Sequence, residues 1–201
     1  MIKKIVLTGG PCGGKTSAIN HIKEIYEEKG YIVLSINETA TELMNMGIKP
    51  FGLSEISIDK FQEYIFYLQL FKEMLIDKYI SDNKDKNILV LLDRCILDNN
   101  SYVSDEKFNE LLNKFNVDRQ SYINKYDLFI HLVSAAIDTN EYNVSNNSAR
   151  IESKEEAKEK DNNIRNCYKD VNNYVIIDNS TNFEEKLKKV EQEISNLIQS
   201  K

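Results

Sequence analysis

Positions 9–16 read Gly-Gly-Pro-Cys-Gly-Gly-Lys-Thr and satisfy the pattern G-x-x-x-x-G-K-[ST]. The chain holds 7 glycines and 2 prolines, yet four glycines and Pro11 fall in this window, and no glycine follows Gly52. Glycine at such density marks backbone that must approach something closely. At this spacing the partner is a phosphate. The stretch Gly9, Gly10, Pro11, Cys12, Gly13, Gly14, Lys15, Thr16 and Ser17 can curl its backbone N–H groups around an anion at a helix N-terminus. Lys15 is expected to reach the β- and γ-phosphates of a nucleotide, and the Thr16 hydroxyl to ligate Mg²⁺. ATP and GTP both fit the pattern.

A phosphate loop of this kind needs a carboxylate at the end of a buried strand. Ile88-Leu89-Val90-Leu91-Leu92-Asp93 supplies one, with Asp93 placed to hold Mg²⁺ directly or through water. Arginine is scarce, four among 26 cationic residues, so a retained arginine points to two-pronged binding of phosphate or carboxylate. Arg94 directly follows Asp93, at the sheet edge where such folds bind ligands. Arg150 and Arg165 flank the charged helix that follows an Asn-rich stretch. Arg119 has no such setting and reads as surface.

The elements that position these groups follow from periodicity. Ile2–Leu7 is a β-branched strand leading into the glycines. Lys15–Lys29 reads as a helix stopped by Gly30, with Ile19, Ile22 and Ile25 on one face. Tyr31–Ile36 is a second strand, Glu38–Met46 a short helix ended by Gly47, and Ser57–Ser81 a long helix carrying Ile58, Phe61, Ile65, Leu68 and Leu75. Its aromatic stripe is expected chiefly in the core; Gln62, Gln69 and Glu73 on the same helix could reach a substrate cleft, but solvent is the expectation favoured for them. Ile88–Leu92 is a third strand, apolar throughout as in a sheet covered on both faces. A helix over about 105–115, a strand over Leu128–Val133 and a polar, Asn-rich, mobile stretch over Ser134–Ser148 come next. Ser153–Val171 is a helix with Ser153 and Glu156 as capping box, Tyr174–Ile177 a fifth strand, and Phe183–Gln199 a helix capped by Thr181 and Glu184. Strands alternating with helices imply an α/β fold, a parallel sheet with helices on both faces. No linker divides residues 1–201 into separate domains.

Composition limits the partners. With 26 Lys plus Arg against 32 Asp plus Glu, the net charge is −6 and no basic block is present, which argues against a dedicated nucleic-acid surface. The longest apolar runs, Ile88–Leu92 and Leu128–Val133, are far short of the ~20 residues that span a bilayer. Met1-Ile2-Lys3-Lys4 runs into a strand without a signal-peptide pattern. Cys12, Cys95 and Cys167 are odd in number and lack metal spacing, so a cytoplasmic protein is expected.

Some matches are decoys. Asn124-Lys125-Tyr126-Asp127 fits N-K-x-D, the guanine-reading pattern of small GTPases, but it precedes a strand instead of following one, and no Asp-x-x-Gly follows the third strand. His131 inside an apolar strand reads as packed, and the run Lys154–Asp161 as a solvated helix face.

The segments LTGGPCGGKTS, NETATELMNMG, FQEYIFYLQLFKE, LLDRCILDNNSYV, YDLFIHLVSAA, ARIESKEEAKEKD and VIIDNSTNFEEKL occur in this order. Together, over nearly the whole chain, they resemble the AAA-type P-loop domain shared by NadR-type kinases and the translocation-defect-protein-like ATP/GTP-binding proteins. That family commonly has Gly after Asp-Arg, where this chain has Cys95. It often ends its lid helix in an aromatic–Gly–His–Pro-like turn, which Cys167-Tyr168-Lys169-Asp170 lacks. The resemblance implies a kinase-like strand order 2-3-1-4-5 and a mobile lid between the fourth and fifth strands, approximately residues 134–171. It also implies that Glu38 faces an acceptor site organised by Arg94 and Asp98. Arg150 and Arg165 would be lid arginines, and Asp178, Asn179 and Ser180 would sit near the nucleotide base.

Two functions fit. In the first, Mg-ATP or Mg-GTP gives its γ-phosphoryl group to a hydroxyl or phosphate on a small nucleoside-like acceptor. Lys15, Mg²⁺ and the lid arginines would spread charge, while Glu38 or Asp93 takes or orients the acceptor's proton. In the second, the domain binds nucleotide, hydrolyses it slowly and reports its state to a protein partner. The lid-like segment and Arg94 favour the first.

Overall fold

In the computed structural model of the chain, five strands pair in parallel in the order β2-β3-β1-β4-β5: β1 (Ile2–Thr8), β2 (Ile32–Ile36), β3 (Ile88–Asp93), β4 (Leu128–Leu132) and β5 (Tyr174–Ile177). The structure describes residues 1–137 and 153–200. Parallel strands need crossovers, supplied by α1 (Lys15–Glu28), α2 (Thr39–Asn45), α3 (Ile58–Asp82), α4 (Asp105–Lys114), α5 (Arg119–Ile123) and α6 (Lys154–Asn166), with α7 (Phe183–Gln199) closing the order. Side chains alternate across β1. Ile5 and Leu7 pack with Ala18, Ile19 and Ile22 of α1 and Val190 and Ile194 of α7, whereas Val6 packs with Phe66 of α3 and Ile164 of α6. The sheet is therefore covered on both sides, and β3 is buried along its whole length.

Register aligns the strand ends. Leu7 lies beside Asp93, Thr8 beside His131, and Leu132 beside Ile177. One edge of the sheet thus carries the glycine loop, Asp93-Arg94, Val133-Ser134 and Asp178–Ser180. Asp127 of the N-K-x-D match sits at the opposite edge, accepting from the Lys4 backbone N–H at 2.8 Å and Lys3 Nζ at 3.1 Å, which removes it from any nucleotide bound at the loop.

Several expectations are corrected. On α3 the expectation holds only in part: Phe61 and Phe66 are buried, but so are Gln62, Gln69 and Glu73, while Tyr64, Tyr67, Phe71, Met74 and Leu75 are exposed, Tyr67 at 68%. α3 is apolar nearly all round, so its period does not say which face turns inward, and the buried amides are satisfied. Gln69 accepts from the Thr39 hydroxyl at 2.5 Å and donates to Glu73 at 2.8 Å, and Gln62 accepts from Asn99 at 2.9 Å. Arg119 is not simple surface. It ion-pairs with Asp170 and donates to the Cys167 carbonyl at 2.9 Å, fastening the turn after α6. α6 ends at Asn166 and not at Val171, while its Ser153–Glu156 capping box is present. The cap of α7 is Asn182, whose Oδ1 accepts from the Glu185 N–H at 2.9 Å, one residue beyond the expected Thr181. Arg150 and most of Ser134–Ser148 lie outside the described residues. Among the described residues no helix is long and apolar enough to cross a membrane.

Candidate functional site

The glycine loop is squeezed by the protein itself. A Cβ on Gly9, whose φ is 128°, would stand 2.2 Å from the Leu132 carbonyl oxygen, and one on Gly13 2.4 Å from the same atom. A side chain at either position would push the loop off β4. Lys15 opens α1 and is buried, its Nζ donating to the carbonyls of Gly9 at 3.1 Å and Gly10 at 3.0 Å. Burial, and after it the Arg94 charge, push the Lys15 pKa below the usual lysine range, against the pull of Asp93 and Glu38.

Thr16 Oγ1 lies 3.1 Å from Asp93 Oδ2, and Asp93 Oδ1 is buried without a hydrogen-bond partner. Burial raises the Asp93 carboxyl above its ordinary pKa, helped by the nearby Glu38 charge and opposed by Lys15. A hydroxyl and a buried carboxylate with an orphaned oxygen are hard donors suited to Mg²⁺, which keeps much of its shell as water and phosphate oxygen instead of demanding a protein cage.

Arg94 bridges two carboxylates. Its backbone has a left-handed φ of 72°, and it donates from Nε to Glu38 Oε1 at 2.8 Å and from Nη1 to Asp98 Oδ1 at 3.1 Å. Burial disfavours the Glu38 charge, but Arg94 and then Lys15 outweigh it and hold the carboxyl at about 2. Thr41 adds a hydroxyl donor at 2.6 Å. Asp98 is a hub: besides Arg94 it accepts from Thr8 Oγ1 at 2.5 Å, the Cys95 N–H at 3.1 Å and Tyr168 Oη at 2.6 Å. With both oxygens taken by protein donors, Asp98 fixes Arg94.

Glu38, Arg94 and Asp98 border a cavity of about 310 Å³ that begins at Pro11 of the loop. Met44, Phe51, Phe61 and Ile65 give it apolar walls, while Gln62, Gln69 and Asn99 supply amides. Lys160 of α6 reaches the same cavity, its Nζ 3.6 Å from the centre of the Tyr102 ring. Lys15, Thr16, Asp93, Arg94, Glu38 and Asp98 are thus brought to one place, joined in part by hydrogen bonds.

Other expected site residues do not line this cavity. Arg165 turns to Asp161, with Nε 3.0 Å from Oδ2, and does not line the cavity. Asp178 accepts from the N–H and hydroxyl of Ser180, and Asn179 donates to the carbonyls of Ser134 at 2.8 Å and Ile137 at 2.7 Å. Those three residues are engaged in the loops that border the sheet edge.

Sequence reasoning missed Asp161, which is fully buried and not part of a solvated face. Its Oδ1 accepts from the Gly10 and Ser134 backbone N–H groups, both at 2.9 Å, and lies 3.1 Å from His131 Nε2. Burial works against its charge, yet these bonds, that of His131 first, hold the carboxyl at about 2. Burial depresses the His131 pKa, so the imidazole is neutral at pH 7 with its proton on Nε2, facing a carboxylate that only accepts. The available signal was spacing: Ala157, Asp161, Ile164 and Tyr168 recur on one face of the helical segment. Lys160 was missed with Asp161, in the same run read as solvated, whereas Gln62 and Gln69 do reach the cavity, the less favoured of the two expectations for them.

No curated protein matches the chain. A family described as an AAA domain matches residues 4–186, from β1 ahead of the loop into the first turn of α7, and so takes in all five strands and the cluster around Lys15. The sheet order with a glycine loop at its C-terminal edge is that of a P-loop NTPase α/β fold, which generally binds nucleotide with Mg²⁺. The chain belongs to the AAA domain family.

Proposed function

We propose that the protein is a small-molecule phosphotransferase, akin to the NadR-type and translocation-defect-protein-like proteins, that moves the γ-phosphoryl group of Mg-ATP or Mg-GTP to a nucleoside-like acceptor. The observation that supports this reading is the cavity beside the loop. Hydrolysis needs room for one water, whereas about 310 Å³ with both apolar and amide walls has room for a small organic acceptor.

The loop amides and Lys15 bind and orient the phosphates. Thr16 and Asp93 would hold Mg²⁺, which when bound neutralises charge on the β- and γ-phosphate oxygens. Glu38 is too weak a base, at about 2, to take a hydroxyl proton early. It orients the acceptor by accepting a hydrogen bond, which suffices for a loose phosphoryl-transfer transition state. Arg94, fixed by Glu38 and Asp98, presents a planar cation to the transferring group. The lid helix contributes Lys160 at the cavity, with Arg165 behind it on Asp161.

The test is nucleotide consumption with and without a panel of nucleosides and nucleoside monophosphates. Acceptor-stimulated release of ADP or GDP supports the reading. Equal rates with every acceptor would overturn it in favour of a slow regulatory NTPase.

A further inference from the structure

The exposed face of α3 is a second feature, independent of the nucleotide site. At about 100° per residue, Tyr64, Tyr67, Phe71, Met74 and Leu75 fall within an arc of about 100°, a continuous apolar stripe. Their exposures are high, 68% for Tyr67, 47% for Phe71 and 57% for Met74. Single exposed apolar residues are ordinary; a contiguous helical stripe marks an interaction surface. The opposite side of α3, through Phe61, Gln62 and Gln69, is already spent on the core and the cavity wall.

Charge at the ends of the stripe identifies the occupant. Lys60 and Asp82 lie in the same arc, eleven residues on either side of Phe71. Lys60 pairs locally with Glu63 at 3.0 Å, a carboxylate that Lys114 also holds at 2.9 Å, so this end carries two cations on one carboxylate, whereas at the other end Lys78 pairs with Asp82 at 2.7 Å. Set antiparallel against a second copy, Lys60 meets Asp82, Tyr64 meets Lys78, Tyr67 meets Leu75 and Phe71 meets itself. Set parallel, Lys60 would meet Lys60 and Asp82 would meet Asp82. The pattern is self-complementary only in the antiparallel sense, the isologous contact of a two-fold dimer.

We propose that this face is a self-association surface, with α3 packing antiparallel on α3 of a second copy across a two-fold axis at Phe71.

Sedimentation equilibrium of the full chain tests this. The wild type is expected to dimerise at micromolar concentration. Phe71→Glu and Phe71→Lys each place like charges against themselves, so each alone should weaken association by about 100-fold or more. An equimolar mixture of the two variants should regain a dimer, because position 71 faces its own counterpart. Circular dichroism and nucleotide binding, both expected unchanged, verify that the variants fold. A wild type that stays monomeric at about 100 μM would overturn the proposal. Dimers that persist in both single variants, or a mixture that stays monomeric, would overturn the contact at Phe71.

Discussion

Lys15 and Arg94 sit close together in one buried cluster, and their different partners assign them different work. Lys15 rests on two loop carbonyls, and the proposed function gives it the phosphates. Lys15→Ala should keep the fold and weaken nucleotide binding about 10- to 150-fold, the value of one charge-assisted hydrogen bond of ~1.5–3 kcal/mol; titration calorimetry reads it directly. Unchanged affinity would remove the loop from nucleotide binding. Arg94 instead spans Glu38 and Asp98 with two separate N–H groups. A lysine has no planar fork, so Arg94→Lys should leave nucleotide affinity nearly intact and lower kcat about 10- to 150-fold by the same hydrogen-bond measure. A loss confined to nucleotide affinity would place Arg94 on the nucleotide instead. At this scale Lys15, Thr16 and Asp93 were legible because a loop motif is local and its spacing is its geometry. The link between Asp98 and Arg94 came only with the resemblance, and the donors that fix Asp98 were not legible, because Thr8, Cys95 and Tyr168 lie on three different segments.

Among the elements, α6 is tied to the loop through Asp161, whose Oδ1 accepts from the Gly10 N–H. Removing that carboxylate leaves the Gly10 and Ser134 N–H groups and His131 without that acceptor in a buried site. At ~1–3 kcal/mol per orphaned group, Asp161→Ala should cost roughly 3 kcal/mol or more and lower Tm by about 6–12 °C, measured by calorimetry. A shift below about 2 °C would mean that Asp161 is dispensable. Acid should act on the same contact. Asp161 and Glu38 are held at about 2 when folded, below their ordinary 3.8 and 4.5, so the unfolded chain takes up protons first as pH falls. Their stabilisation is complete above about pH 5 and is lost progressively down to about pH 2. Tm should fall across this window, and Asp161→Asn should flatten part of the fall. A Tm slope in Asp161→Asn equal to that of the wild type would contradict the assignment. α6 and α3 were the elements least legible in the sequence, for opposite reasons. α6 is so polar that its one buried acid looks like surface, and α3 is so apolar that its exposed stripe looks like core.

At the scale of the molecule, the parallel sheet was legible because buried β-branched strands alternate with helices at crossover spacing. The order 2-3-1-4-5 came with the resemblance, since strand order depends on long-range pairing such as Leu7 beside Asp93. That pairing matters for function: it brings a loop from residues 9–16 to a carboxylate at 93 and a cavity wall from residues 38–69. The sheet edge therefore sets the loop beside a cavity, and the proposed function is phosphoryl transfer from a nucleotide on the one to an acceptor in the other. The most direct measurement is ³¹P NMR of Mg-ATP or Mg-GTP with the protein and an acceptor panel, following the γ-phosphorus. A new phosphate-ester or phosphoanhydride resonance that grows only with acceptor, ahead of orthophosphate, is the predicted result. Orthophosphate alone, growing at one rate whatever acceptor is present, would contradict it.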